Sequence, residues 1–120
     1  MIDLDNVSIY KKLDPDDMLG RISELPMQCR DAWANAQCLS APEAYRRASK
    51  IIILGMGGSA IGGALLSDLV RYECAVPILL NRDYTVPACV DAHTLVIASS
   101  YSGNTEETLI SLEQAIRQGG

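Results

Sequence analysis

Two stretches of the chain bring together residue types that can hold an anion. The first is Gly55-Met56-Gly57-Gly58-Ser59-Ala60. Glycine tolerates positive φ and lets a ligand approach the backbone with no Cβ in the way. Where a strand turns into a helix, such a run exposes free N–H groups at the positive end of the helix dipole. The second is Ser99-Ser100-Tyr101-Ser102-Gly103-Asn104-Thr105-Glu106-Glu107-Thr108, in which five of ten residues carry an aliphatic hydroxyl. Gly103 lets the backbone turn so that successive N–H groups converge. Hydroxyls and N–H groups are neutral donors suited to a phosphate at a helix N-terminus.

Each stretch also has a plainer reading. The first fits G-x-G-x-x-G/A, the dinucleotide fingerprint, yet glycines there serve a tight strand-to-helix turn equally well. The acid that would grip a ribose belongs about 20 residues further on. Asn81 and Arg82 stand there, which counts against NAD and leaves NADP open through Arg82. Gly62 and Gly63 read as places where a helix comes close to a sheet. In the second stretch, Asn104 followed by Glu107 spells a capping box. Capping employs only one or two of these residues and leaves Ser100 and Ser102 without a task, so phosphate binding is the preferred reading. No catalytic residue is assigned. Glu106 and Glu107 fall in the first turn of a helix, where acids favour the dipole. The single histidine, His93, precedes a strand at the end away from both loops and reads as structural. Cys29, Cys38, Cys74 and Cys89 form no C-x-x-C pair, so no metal site is expected.

The elements that must position these loops follow from the apolar pattern. Ile51 to Leu54 is a short, mostly β-branched run, suited to a strand covered on both faces. A helix follows from Ser59 to about Tyr72, with Ile61, Leu65, Leu66 and Leu69 as its apolar set. Pro77 to Asn81 reads as the second strand and Thr94 to Ser99 as the third. Their link, with Pro87 in it, is too short for a full crossover helix but long enough for one turn. Thr105 to Gln118 is a helix with Leu109, Leu112 and Ile116 on one face, and Gly119-Gly120 stop it. Upstream, residues 1–13 read as a polar start, either an arm or a disordered stretch. Asp14 and Pro15 open a helix as cap and first turn, with Met18, Leu19, Ile22 and Leu25 as its stripe. Pro26 kinks or interrupts it, and helix resumes over Met27–Leu39 with Trp33. Ser40-Ala41-Pro42-Glu43 starts a short basic helix through Ala48 that leads into the first strand, and its Arg46 and Arg47 read as a solvated face.

Strands one and three each feed a helix, the mark of a parallel α/β sheet. With strand one central, two on one side and three on the other, both loops border the crevice at the carboxyl ends of the strands. That topological switch point is where such folds take ligands. Three strands make a small sheet with an exposed third edge. The expectation is therefore the N-terminal piece of a longer α/β protein, in preference to a compact domain completed by a partner chain.

Composition sets outer bounds. The chain has 120 residues, is 48% hydrophobic, contains no Phe and carries a net charge of −5. Its core must be aliphatic. No basic patch marks a nucleic-acid surface, and no apolar stretch has the length of a membrane span. Four cysteines without a signal peptide read as reduced thiols in a cytoplasmic protein.

Ser100-x-Ser102-Gly103-x-Thr105 after the third strand resembles the phosphosugar signature of SIS (sugar isomerase) domains. Taken together, Gly55–Gly63 and Ser100–Thr108 are similar to the bifunctional phosphoglucose/phosphomannose isomerases, as are Asp17-Met18 and Leu25-Pro26 in the leading helix. The resemblance covers most of the chain. It implies a flavodoxin-like parallel sheet in an αβα sandwich, here truncated to about three strands, with residues 1–49 as arm and helices and 50–120 as the first part of a SIS domain. By match, Ser100, Ser102 and Thr105 bind the phosphate with the Tyr101 backbone, and Gly58 and Ser59 contact the sugar. The implied reaction interconverts glucose 6-phosphate or mannose 6-phosphate with fructose 6-phosphate through an enediol, without a metal or other cofactor, in a homodimer. Its glutamate, histidine and lysine would lie after residue 120. A non-catalytic SIS-type phosphosugar-binding module and an NADP-binding oxidoreductase fragment are the alternatives.

Overall fold

A computed structural model describes residues 5–120. The chain forms two compact units, one ending at Ala41 and one running from Pro42 to Gly120.

The first unit holds helices α1 (Val7–Leu13) and α2 (Met18–Gln37). Residues 1–4 lie outside the described part. The rest of the expected arm is helical, because Asn6 caps α1 by accepting the Ser8 N–H at 3.2 Å. The second helix begins at Met18, three residues later than the Asp14-Pro15 signal implied. Asp14 still does a cap's work: its two carboxylate oxygens accept the Met18 and Leu19 N–H groups, each at 2.8 Å. Those two bonds hold its carboxyl below the usual carboxylate range. The chain reaches Met18 through Asp17 at φ 52°, a left-handed conformation that aspartate tolerates. Pro26 does not end the helix, which runs through it as one element of 20 residues. None of the residues of α2 is buried, including Trp33.

The second unit is the α/β part. After a 3-10 turn (Glu43–Arg47) come β1 (Lys50–Leu54), α3 (Gly57–Leu69), β2 (Ile78–Asn81), β3 (Thr94–Ala98) and α4 (Glu106–Arg117). The sheet is parallel throughout, in the order β2-β1-β3. In register, Leu54 stands beside Asn81 on one side and Ala98 on the other. The central strand is the expected one, and its apolar run is explained by cover on both faces.

Neighbouring residues of a strand point to opposite faces, and β1 uses this fully. Ile52 and Leu54, both at 0% exposure, meet Ala115 of α4 together with Val86 and Val90. Ile53 points the other way, toward Gly63 of α3. Burying each of these large side chains is worth about 1.5–3 kcal/mol. The link between β2 and β3 contains a turn closed by the Val90 N–H on the Pro87 carbonyl at 3.1 Å, and no helix. Instead of a helix, Val86 and Val90 supply that part of the core. Val86 is fixed by its own N–H, which donates to Gln114 Oε1 at 2.7 Å.

The helices bury smaller residues than their apolar pattern implied. On α3, Ala60 and Gly63 are buried while Ile61, Leu65, Leu66 and Leu69 are exposed. On α4, Thr108, Ser111 and Ala115 are buried and Leu112 is half-buried, while Leu109 and Ile116 are exposed. Small residues at these positions let the helix backbones lie close to the sheet.

At the start of β1, Lys50 Nζ donates to both Asp91 carboxylate oxygens at 2.9 Å. The Asp91 carboxyl also accepts the Thr94 hydroxyl and the His93 N–H. The Lys50 bond first, then those two, hold it down to about 2.

Three predictions follow from this packing and this ion pair. A Cβ on Gly63 would stand 2.8 Å from Leu80 Cδ2 and 3.0 Å from Ile53 Cγ2, so Gly63→Val should cost about 1–3 kcal/mol in urea unfolding. A Cβ on Gly62 would meet nothing within 4 Å, so Gly62→Ala should stabilise by about 0.5–1 kcal/mol. Because Asp91 is held at about 2 instead of 3.8, its contribution is complete above 3.8 and disappears as the pH falls toward 2. Asp91→Asn should therefore flatten the acid limb of the stability profile across that window. An unchanged limb would mean the ion pair does not contribute.

Candidate functional site

The two singled-out loops leave the carboxyl ends of adjacent strands, and hydrogen bonds join them. Ser99 N donates to the Leu54 carbonyl at 2.8 Å, extending the β1–β3 ladder one residue. Gly55 N donates to the Asn81 carbonyl at 3.1 Å on the other side. Above that level Ser59 makes the connection. Its carbonyl accepts the Ser99 hydroxyl at 3.1 Å, and its hydroxyl accepts the Tyr101 N–H at 3.3 Å. Gly55 is the residue that allows this approach, since a Cβ there would stand 3.0 Å from the Ser99 carbonyl oxygen.

The hydroxyls of the second loop form a triangle. Ser100 Oγ lies 3.0 Å from Thr105 Oγ1, Ser102 Oγ lies 3.3 Å from Thr105 Oγ1, and the two serine oxygens are 3.5 Å apart. Two backbone N–H groups point into the same cluster: Gly103 N donates to Ser100 Oγ at 3.1 Å, and Asn104 N to Ser102 Oγ at 3.3 Å. Gly103 makes the turn at φ 69°, a conformation open to glycine. Among the residues assigned by sequence, Ser100, Ser102 and Thr105 are therefore brought together directly. Ser59 and the Tyr101 backbone join them through one hydrogen bond. Gly58 sits in the first turn of α3, and a Cβ there would meet no atom within 4 Å. The Tyr101 side chain is fully exposed and takes no part in the cluster.

The capping box is not formed. Helix α4 starts at Glu106 with Thr105 as its N-cap, and no side-chain oxygen of Thr105 caps it. The Thr105 hydroxyl turns instead to Ser100 and Ser102. The oxygen that would otherwise satisfy a helix N–H thus belongs to the triangle, and the first turn of α4 keeps its N–H groups for another acceptor. Helix α3 also begins without a side-chain cap, at Met56, and its first residue Gly57 has φ 51°. Two uncapped helix N-termini with their positive dipole ends thus flank the carboxyl end of β1.

One neighbour was not evident from the sequence. Tyr84, on the link between β2 and β3, has its phenol raised above the usual value by partial burial and then by the carboxylates of Glu106, Glu107 and Asp83. It stays protonated, a neutral hydrogen-bond donor within electrostatic reach of the first turn of α4. Sequence spacing carried no signal for it, because a tertiary turn brings it there. His93 lies at the start of β3, at the opposite end of the sheet from the hydroxyls. Arg82 is exposed just past the end of β2. Among the described residues, no group of three His, Cys, Asp or Glu is placed to hold a metal ion. Among the described residues, no helix is long and apolar enough to cross a membrane.

Known proteins match this stretch. A bifunctional phosphoglucose/phosphomannose isomerase of Caldicellulosiruptor bescii is 46% identical over 102 residues, 85% of this chain and 30% of that protein. One from Thermoplasma acidophilum is 49% identical over 71 residues, 59% of this chain and 22% of the relative. A D-glucosamine-6-phosphate 4-epimerase of Sulfolobus acidocaldarius is 43% identical over 74 residues, 62% of this chain and 22% of that enzyme. The chain thus spans less than a third of the length of these curated relatives. No family model matches it, and no solved structure does.

Gly103→Ala should lower stability by about 1–2 kcal/mol, the cost of a left-handed conformation for a residue with a Cβ, as read by urea unfolding. Gly58→Ala has free space and no positive φ, and should leave the unfolding midpoint where it is or raise it.

Proposed function

Proceeding from a chain related to part of the bifunctional phosphoglucose/phosphomannose isomerases, we propose that these 120 residues supply the phosphosugar-binding loops of a sugar-phosphate isomerase. The observation that carries this reading is the hydroxyl triangle of Ser100, Ser102 and Thr105, braced by Ser59 and set at an uncapped helix start. In the proposed complex the three hydroxyls turn from one another to donate to phosphate oxygens. Hydrogen bonds to a charged acceptor are the stronger kind, at about 1.5–3 kcal/mol each. Ser59 already accepts the Tyr101 N–H, so its own proton is free to go to a sugar hydroxyl. Gly58 leaves the space in which the sugar can lie against backbone.

The reaction proposed for the whole protein opens the sugar ring and moves a proton between C1 and C2 through an enediol. It connects glucose 6-phosphate or mannose 6-phosphate with fructose 6-phosphate. The acid and base come from outside these residues. Glu106 and Glu107 stand in the first turn of α4 and stabilise the helix start. The relatives' names support this division of labour. An isomerase and a 4-epimerase carry the same stretch, as expected if it recognises what their named sugar phosphates share and leaves the reaction to other residues. The same observation favours, as the second reading, a module that binds a phosphosugar without chemistry. The fold proposed for the whole is a SIS-type αβα sandwich. The setting proposed is a cytoplasmic homodimer, in keeping with four free, exposed cysteines.

An amide NMR titration with fructose 6-phosphate, with NADP as control, tests the binding role. Shifts at Gly57–Ser59 and Ser100–Thr105 are expected with the sugar phosphate. Ser100→Ala combined with Ser102→Ala should weaken binding by roughly 100-fold or more, from two lost bonds to a charged group. Shifts at Gly55–Ala60 and Arg82 with NADP alone would replace the isomerase reading by a nucleotide-binding one.

A further inference from the structure

Three N–H groups of the hydroxyl loop end on serine oxygens. Gly103 N donates to Ser100 Oγ at 3.1 Å and Asn104 N to Ser102 Oγ at 3.3 Å, both within the loop. Tyr101 N donates to Ser59 Oγ at 3.3 Å, across to the other loop. Tyr101 stands between Ser100 and Ser102 in the chain, so an anion held by those two hydroxyls lies beside its amide. The bond to Ser59 is long for N–H···O, where about 2.9–3.0 Å is usual. A charged phosphate oxygen is the better acceptor, with bonds roughly twice as strong as those to a neutral oxygen. Ser59 is also held a second way, since its carbonyl accepts the Ser99 hydroxyl at 3.1 Å. Its own hydroxyl can therefore leave Tyr101 by turning about χ1 while its backbone stays in place. On the same helix turn Gly57 and Gly58 carry no side chain, and a Cβ on either would meet nothing within 4 Å. A sugar has room beside Ser59.

We propose that the Ser59–Tyr101 hydrogen bond determines specificity: a phosphate takes the Tyr101 N–H, and this frees the Ser59 hydroxyl for the sugar that the phosphate carries. The inference rests on the phosphosugar reading and adds to it a reason for preferring the two halves of the ligand joined. A sugar phosphate supplies both sides of the exchange. Inorganic phosphate breaks the bond and brings Ser59 no new partner. An unphosphorylated sugar offers Tyr101 another neutral oxygen, no better than the one it has, and gains nothing by displacing Ser59. Coupling of this kind is reciprocal, so the sugar contact strengthens the hold on phosphate by the factor that phosphate strengthens the hold on sugar.

The test is Ser59→Ala, with inorganic phosphate and fructose 6-phosphate titrated separately into isotope-labelled chain. With the competing hydroxyl gone, inorganic phosphate should bind about 3–10-fold more tightly than it does to the parent chain. The preference for fructose 6-phosphate over inorganic phosphate should fall by a similar factor, because the sugar has lost its partner. A serine that only braces the loop acts with the opposite sign, since its removal weakens phosphate binding. Phosphate affinity that is unchanged or lower in the variant therefore overturns the proposal. A second measurement needs no variant. In the parent chain, inorganic phosphate should move the Tyr101 amide proton downfield as its bond passes to a charged oxygen. A Tyr101 amide that stays in place while those of Ser102 and Thr105 respond refutes the exchange. If neither ligand shifts Ser100–Thr105 in the parent chain, the phosphosugar reading fails and takes this inference with it.

Discussion

The carboxyl end of the sheet depends on how closely the loops after β1 and β3 approach one another. Gly55 sets that distance, since a side chain there would press on the Ser99 carbonyl at 3.0 Å. With the backbones at this separation, Ser59 reaches both Ser99 and the Tyr101 amide. The hydroxyl loop therefore inherits its position from the central strand, by way of one serine on the first turn of α3. Ile52 and Leu54 hold that strand in place from beneath, fully buried. The chain of cause runs from an aliphatic strand, through a glycine, to the geometry of three hydroxyls more than forty residues further on.

The helices answer to the same constraint. A helix that presents Gly63, or Thr108, Ser111 and Ala115, to a sheet can lie nearer to it than one presenting leucines. The start of α3 follows directly from β1, and the start of α4 from β3, so close seating keeps both N-termini near the strand ends. Buried polar groups accompany this. Ser111 satisfies its hydroxyl by donating to the Thr108 carbonyl at 3.2 Å, while Thr108 Oγ1 is buried without a partner. A single orphan hydroxyl costs about 1–3 kcal/mol, and its place is one turn along from the hydroxyl triangle.

What the sequence made legible was what local chemistry decides. The β-branched run 51–54, the glycines after it and the parallel order with β1 central all follow from residue type and spacing; the bridge that Ser59 makes to Ser99 and Tyr101 does not. The residues it misread were those whose fate tertiary packing settles. Periodicity marked Leu65, Leu69, Leu109 and Ile116 as inward-facing, whereas the sheet selected the smaller residues beside them. The capping box at Asn104 failed because α4 begins at Glu106, which makes Thr105 and not Asn104 its N-cap. Asp14 illustrates both sides: its capping chemistry was readable, but the left-handed Asp17 that moves the helix start to Met18 was not. Tyr84 left no trace in the sequence, because the fold and not the spacing puts its phenol under the influence of the Glu106 and Glu107 carboxylates.

The hydroxyl cluster draws on dipoles and contains no ammonium or guanidinium group, in a chain whose net charge is −5. Sites built on lysine or arginine lose their hold on anions as counter-ions crowd in, because salt weakens the attraction they rely on. Here the long-range field of the molecule repels an approaching anion, and the attraction acts only at contact. Added salt screens the repulsion and leaves the contact bonds largely intact. For the phosphate role proposed for Ser100, Ser102 and Thr105, the dependence on ionic strength would thus be inverted, with binding at least as ready in a concentrated electrolyte as in a dilute one.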